Sequence, residues 1–321
     1  MKQNEKETMP TPDDLTLDEI NTRFSTDEAA REYWESIHWP DGPVCPHCKN
    51  NDQAKIWKIE ANKEKKIREG LHQCGECKKQ FTSTIGTIFE DSHISLRKWL
   101  IAWYLLCSSK KGISSLQLQR ILGLGSYRTA LFMTHRIRYA LQDPKVKKLS
   151  GIVEVDETYI GGKRKGAGRG SLQGKVPVVS LLERNGNVRS QVVRRVTGRN
   201  LRAIVRKNVK AKSEIHTDEN RGYCKVQPDF QHYTVKHAMG EYARREKDRL
   251  VTTNGVEGFF SLLKRGVIGT FHHVSEQHLP LYLAEFDYRY NQRHVSDGQR
   301  TVSGLKKAIG KRLTYEQPIR A

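Results

Sequence analysis

The stretch GIVEVDETYIGG, residues 151–162, reads as a core strand that carries acids. Ile152, Val153, Val155 and Ile160 supply β-branched bulk, and Glu154, Asp156 and Glu157 are threaded among them. Strand alternation puts Glu154, Asp156 and Thr158 on one face and Val153, Val155, Glu157 and Tyr159 on the other. A half-exposed strand would merely solvate its acids, so a reason for these three has to come from the rest of the chain.

Downstream, strand-like segments at 176–182, 188–196 and 213–217 are joined by a helical stretch at 200–209. A further strand at 233–236 precedes helices at 254–266 and 275–289. That series is α/β. Asp218, in EIHTDENRGY, directly follows one of these strands, and Glu257, in TTNGVEGFFSLLKRG, lies near the start of a helix. Two strand ends and a helix can converge on one edge of a sheet. Three carboxylates gathered there repel one another unless divalent cations lie between them. An all-oxygen donor set suits Mg2+, which binds through a few carboxylates together with substrate phosphates. Glu257 also has a plainer reading, because Asn254-Gly255-Val256-Glu257 has the spacing of a capping box. Against it, Glu257, Ser261 and Lys264 fall at i, i+4 and i+7, on one helical face.

The charge points to a polyanion. The 321 residues carry a formal net charge of +20, and nucleic acid is the usual partner of such a field. Between Lys163 and Lys212 there are fifteen Lys or Arg against the single acid Glu183. A solvated face would mix the signs, so this segment reads as a phosphate track. Within it GGKRKGAGRGSLQGK, residues 161–175, offers Lys163, Arg164, Lys165 and Arg169 for sequence-independent contacts, and it lacks the G-K-[ST] ending of a nucleotide-binding P-loop. The longest apolar run, WLIAWYLLC at 99–107, is far short of the roughly 20 residues a membrane span needs. The polar amino terminus has no secretory signal. The expected location is cytoplasmic and nucleoid-associated, where six cysteines serve as thiols or metal ligands.

Four of those cysteines form CPHC (Cys45, Cys48) and, after 25 intervening residues, CGEC (Cys74, Cys77). Each pair delivers two thiolates to one side of a metal, and two pairs close a tetrahedral Zn2+ site. Such a site has no open position for catalysis and is assigned to folding. Residues 1–40 form an acidic arm in which Ser25-Thr26-Asp27-Glu28 has capping-box form. From residue 94 to about 141 the pattern is helical. Gly123-Leu124-Gly125 separates two segments in the manner of a helix-turn-helix. Along the second, Arg128, His135, Arg136 and Arg138 are candidates to reach phosphates or base edges, with Arg128 and Arg136 assigned to sequence-specific DNA contacts.

These pieces together resemble the ISXO-like DDE transposases of bacterial insertion sequences. WPDGPVCPHC, CGECKKQFTSTIGTIFE, VEVDETYIGGK, HTDENRGY, NGVEGFFSLLKRGVIGTFHHVS and YLAEFDYRYNQR occur in that order. The resemblance implies an α/β catalytic domain of ribonuclease H-like fold at 149–321. Ahead of it come the arm, a zinc ribbon at 41–92 and a helix-turn-helix-like region at 93–148. It implies that Asp156, Asp218 and Glu257 hold two Mg2+ or Mn2+ ions, with Lys264 the basic residue that follows. Within this group the third position is sometimes Asn, and Asn254 is the local candidate, so that assignment stays open. The implied activity is binding and pairing of transposon ends, phosphodiester hydrolysis and strand transfer into target DNA, by a homo-oligomer that is at least a dimer. A zinc-ribbon DNA-binding regulator without cleavage and a ribonuclease H-type nuclease without joining are the alternatives.

Overall fold

The structure, a computed structural model, describes residues 15–143, 147–162, 166, 168, 171–226 and 229–314. It divides into two compact units, one built from the chain up to Leu141 together with the segment from His294 onward, the other from Gln142–Arg293.

The first unit opens with α1 (Leu17–Arg23) and α2 (Asp27–His38). Thr26, one residue beyond the expected Ser25, caps α2 by accepting the Ala29 N–H at 3.2 Å. An antiparallel ribbon follows, β1 (Ile56–Ile59), β2 (Leu71–Cys74) and β3 (Gln80–Phe81). Its core is small: Trp39, Ile56 and Phe81 packed around Cys45 and Cys74. Helix α3 (Leu96–Ser108) is apolar almost all round and is correspondingly buried, at Trp99, Leu100, Trp103 and Leu106 among others. α4 (Ser115–Leu122) ends on Gly123, whose φ of 57° and ψ of 47° are left-handed and suit glycine. Ser126 then caps α5 (Tyr127–Leu141) by accepting the Thr129 N–H at 3.1 Å.

The second unit is a five-stranded mixed sheet in the order β6-β5-β4-β7-β8. It comprises β4 (Ile152–Ile160), β5 (Val176–Glu183), β6 (Val188–Val192), β7 (Glu214–Thr217) and β8 (Gln231–Thr234), with α6 (Gly198–Asn208) between β6 and β7. β4, β5 and β6 pair antiparallel, while β4 pairs parallel with β7 and β7 with β8. The β4 alternation holds as the sequence predicts. Val153 and Val155 pack with Val179, Leu181 and α6, and Ile160 packs with Val178, Leu182 and α7 (Asn254–Gly266) on the opposite face. Each such side chain contributes about 1.5–3 kcal/mol on burial. α8 (Leu279–Asn291) completes that second layer. A hairpin, β9 (Ala243–Glu246) and β10 (Arg249–Thr252), precedes α7 and is absent from the sequence reading. Its three arginines and lysine mask the apolar alternation that marks a strand.

The last helix, α9 (Asp297–Lys306), belongs to the first unit, where Arg300 donates to the Cys107 carbonyl of α3 at 3.1 Å. The compact division thus parts from the expected segments at the carboxy-terminal end: residues 294–314 leave the sheet unit because their buried face is made with α3. No helix among the described residues is long and apolar enough to cross a membrane.

Candidate active site

The three acids of β4 meet three different fates. Glu154 is 2% exposed. Its Oε1 accepts Arg184 Nη2 at 2.9 Å, and its Oε2 accepts the Val256 N–H, in the first turn of α7, at 3.1 Å. Arg184 reaches on to the Leu250 carbonyl of β10 at 2.8 Å. Glu154 is therefore a strut between sheet and helix, with its charge neutralised by one guanidinium. The approach is close enough that a Cβ on Gly255 would stand 2.7 Å from Glu154 Oε2, so only glycine fits there. His216 sits beside Arg184, Nδ1 to Nη2 at 3.4 Å, and its pKa falls to about 4 through burial and then the Arg184 charge, which keeps it neutral. Arg184→Ala leaves Glu154 buried and unpaired. It should cost about 3–5 kcal/mol in urea unfolding. Adding Glu154→Gln should recover part of that loss, and equal stability of wild type and Arg184→Ala would exclude the strut.

Glu157 points to the other face, as alternation requires. It accepts the Tyr223 hydroxyl and the Asn220 side-chain amide, each at 2.6 Å. Those partners follow Asp218 in the chain, and Asn220 N–H also donates to Asp218 Oδ1 at 3.1 Å. Glu157 thus braces the turn that carries Asp218.

Among the described residues Asp156 has no cationic partner of this kind. Burial pushes its carboxyl up to about 7, the Glu157 N–H at 2.7 Å pulls the other way, and the fields of Asp218, Glu157 and Glu257 add to the rise. Asp218 is likewise raised, by burial first and by the charges of Glu219 and Glu257, against the Asn220 N–H and His237. Side chains from β4, from the turn after β7 and from α7 therefore lie in one another's electrostatic field. That concentration of mutually repelling oxygen donors fits a divalent cation, and Asp156, Asp218 and Glu257 are the residues that could hold it.

The capping-box reading of Glu257 is not realised. The residue preceding α7 is Thr253, so Asn254 already lies in the first turn and is exposed. Glu257 Oε1 instead accepts Thr253 Oγ1 at 2.9 Å and meets His237 Nε2 at 3.0 Å. Lys264 is exposed two turns further along α7. Neither His237, Thr253 nor Arg184 stands out in the sequence. Each is defined by partners in other segments, and an isolated histidine or arginine in a basic chain carries no signal of its own.

Among the described residues one group has metal-ligand atoms all within 4.8 Å of one another: Cys45, Cys48, Cys74 and Cys77. Cys45 and Cys77 Sγ are 3.6 Å apart, as are those of Cys48 and Cys74. The Cys77 backbone N–H is the largest of the influences that draw the Cys74 thiol down to about 6, toward the thiolate that ligation needs. The four sulfurs fit one structural Zn2+. The acid trio does not meet that spacing and interacts over a longer range.

Of the two helix arginines assigned to DNA, Arg128 is exposed and Arg136 is not. The Arg136 guanidinium donates to the Glu90 carbonyl and lies over the rings of Trp99 and Phe132. This corrects the expectation for Arg136, since a group 6% exposed and used in packing cannot reach a phosphate. His135 and Arg138 are buried too. Lys163, Arg164, Lys165 and Arg169 lie outside the described residues.

Residues 148–291 match the ISXO2-like transposase domain and residues 25–80 the transposase zinc-ribbon domain, together more than half of the chain. A protein of the transposable element ISH50 from Halobacterium salinarum is 27% identical over 290 residues, covering 83% of this chain and 91% of that protein. A transposase-like protein from Haemophilus influenzae is 28% identical over 119 residues, covering 37% of this chain and 89% of its own length. A chain in the cryo-electron microscopy structure of the simian T-cell lymphotropic virus intasome with PP2A regulatory subunit B56 gamma aligns with 62% of this chain and 73% of its own. At 17% identity and a TM-score of 0.29 that alignment has no bearing on the fold.

Proposed function

Because this chain belongs to the ISXO2-like insertion-sequence transposases and carries their zinc ribbon, we propose that its sheet unit cuts and joins DNA at transposon ends using Asp156, Asp218 and Glu257. The observation that carries the reading is the mutual field of these three carboxylates, drawn from three separate elements. The strand order, antiparallel across β6-β5-β4 and parallel across β4-β7-β8, supports a ribonuclease H-like fold.

Divalent cations, when bound, activate the attacking oxygen and stabilise the leaving one. The chain's own part is to hold them and to align DNA. Glu154 and Arg184 fix the first turn of α7 against β4, and Glu157 fixes the Asp218 turn, so that the three carboxylates are set before substrate arrives. Lys264 supplies an ammonium on the Glu257 helix for a nearby phosphate. Arg128 serves end recognition, and Lys163, Arg164, Lys165 and Arg169 follow the backbone. In the first step a water oxygen joins the phosphorus at the transposon end and the bond to the 3'-oxygen breaks, that oxygen taking a proton. In the second, the freed 3'-oxygen joins a target phosphorus, whose own 3'-oxygen leaves.

Oligonucleotide ends incubated with supercoiled target in Mg2+ or Mn2+ test the proposal. A joined product is expected. Nicks without joining would assign a nuclease, and a gel shift without either would assign a DNA-binding regulator.

A further inference from the structure

We infer that His237 is a positioning residue that sets the Glu257 carboxylate for a divalent cation and couples it to the Asp218 turn. This rests on the carboxylate reading above. His237 Nε2 lies 3.0 Å from Glu257 Oε1 and 3.1 Å from Thr253 Oγ1, and Thr253 Oγ1 itself donates to the same Oε1 at 2.9 Å. Both partners converge on one oxygen, which fixes the carboxylate's rotation and leaves Oε2 as the oxygen for a cation. A carboxylate accepts only, so Nε2 carries its hydrogen in this contact.

The backbone at the same residue does a second task. The N–H groups of His237 and Ala238 donate to the two Glu219 oxygens at 2.8 and 2.7 Å. Glu219 directly follows Asp218, so this clamp ties the short turn His237–Met239 to the residue next to a proposed ligand. The Tyr242 ring, 5.4 Å from the imidazole, supports it from another side. Asp218 and Glu257 are 39 positions apart in sequence. The His237–Ala238 backbone on one side and the His237 ring on the other link the two. Outer contacts of this sort typically set metal affinity by about 10–100-fold.

The test reads Mn2+ binding by electron paramagnetic resonance, on the full-length zinc-loaded protein without DNA, so no turnover is involved. His237→Ala is expected to weaken Mn2+ binding by about 10–100-fold. His237→Gln, whose amide nitrogen can donate from nearly the same place, should restore it to within a few-fold of wild type. Glu219→Ala, which frees the turn and leaves the imidazole in the chain, should weaken binding as well and serves if His237→Ala fails to fold. Unchanged or tighter Mn2+ binding in His237→Ala or Glu219→Ala, beside normal wild-type binding and loss in Glu257→Gln, would overturn the assignment alone. Wild-type protein that binds no Mn2+, or Glu257→Gln that binds it as wild type does, would remove the carboxylate reading and this inference with it.

Discussion

Glu257→Gln is expected to lower strand cleavage by on the order of 10²–10³-fold while folding and DNA binding persist. The amide oxygen can still accept from Thr253 and His237, which hold the native carboxylate at 2.9 and 3.0 Å. What the substitution removes is the charge that a cation requires. A residue serving only the helix start would tolerate the change, since glutamine is as acceptable as glutamate there. Asn254→Ala and Asn254→Ser should both cleave, because Asn254 is an exposed first-turn residue with Thr253 ahead of it. Full cleavage by Glu257→Gln combined with loss in both Asn254 variants would move the third ligand position to Asn254.

Cys74→Ser should release the zinc and unfold the ribbon. The ribbon's core consists of Trp39, Ile56 and Phe81 around two of the cysteines, with partly buried Val44 and Ile85 at its edge, too little apolar surface to hold three short strands unaided. Binding of a structural zinc supplies about 10–16 kcal/mol in small domains of this kind, and that free energy is folding free energy. The sheet unit has its own core on both faces and should keep its native hydrogen-exchange protection. Freshly purified, reduced wild-type protein should hold one zinc per chain by atomic spectroscopy. Its absence would refute the site, as would a Cys74→Ser protein whose ribbon stays protected from proteolysis.

Much of the site was legible in linear order because its signals are local. The zinc ligands are set by C-x-x-C spacing, and the side on which each β4 residue lies is set by the two-residue period of a strand. Both survived unchanged, down to Glu154 and Asp156 sharing a face that Glu157 does not. Helical period alone does not say which side of a helix meets a neighbour, so the sequence does not separate a DNA-facing Arg136 from the one that packs over Trp99 and Phe132. The β9-β10 hairpin was hidden by its charges, and the attachment of α9 to the first unit by the length of chain between them.

Linear order carries the inventory: a four-thiolate zinc ribbon, an α/β series with acids at the strand ends and a helix start, and a basic field around them. The surroundings of each acid are set by packing between distant segments. Glu154 became a strut because the Val256 N–H, 102 positions away, and Arg184, 30 positions away, arrive beside it. Glu157 became a brace because Asn220 and Tyr223 do, 63 and 66 positions away. Asp156 has no such cation beside it among the described residues and lies in the field of Asp218 and Glu257, which with burial raises its carboxyl. A carboxylate's chemistry depends on which charges and donors surround it, and here nearly all of them come from distant parts of the chain.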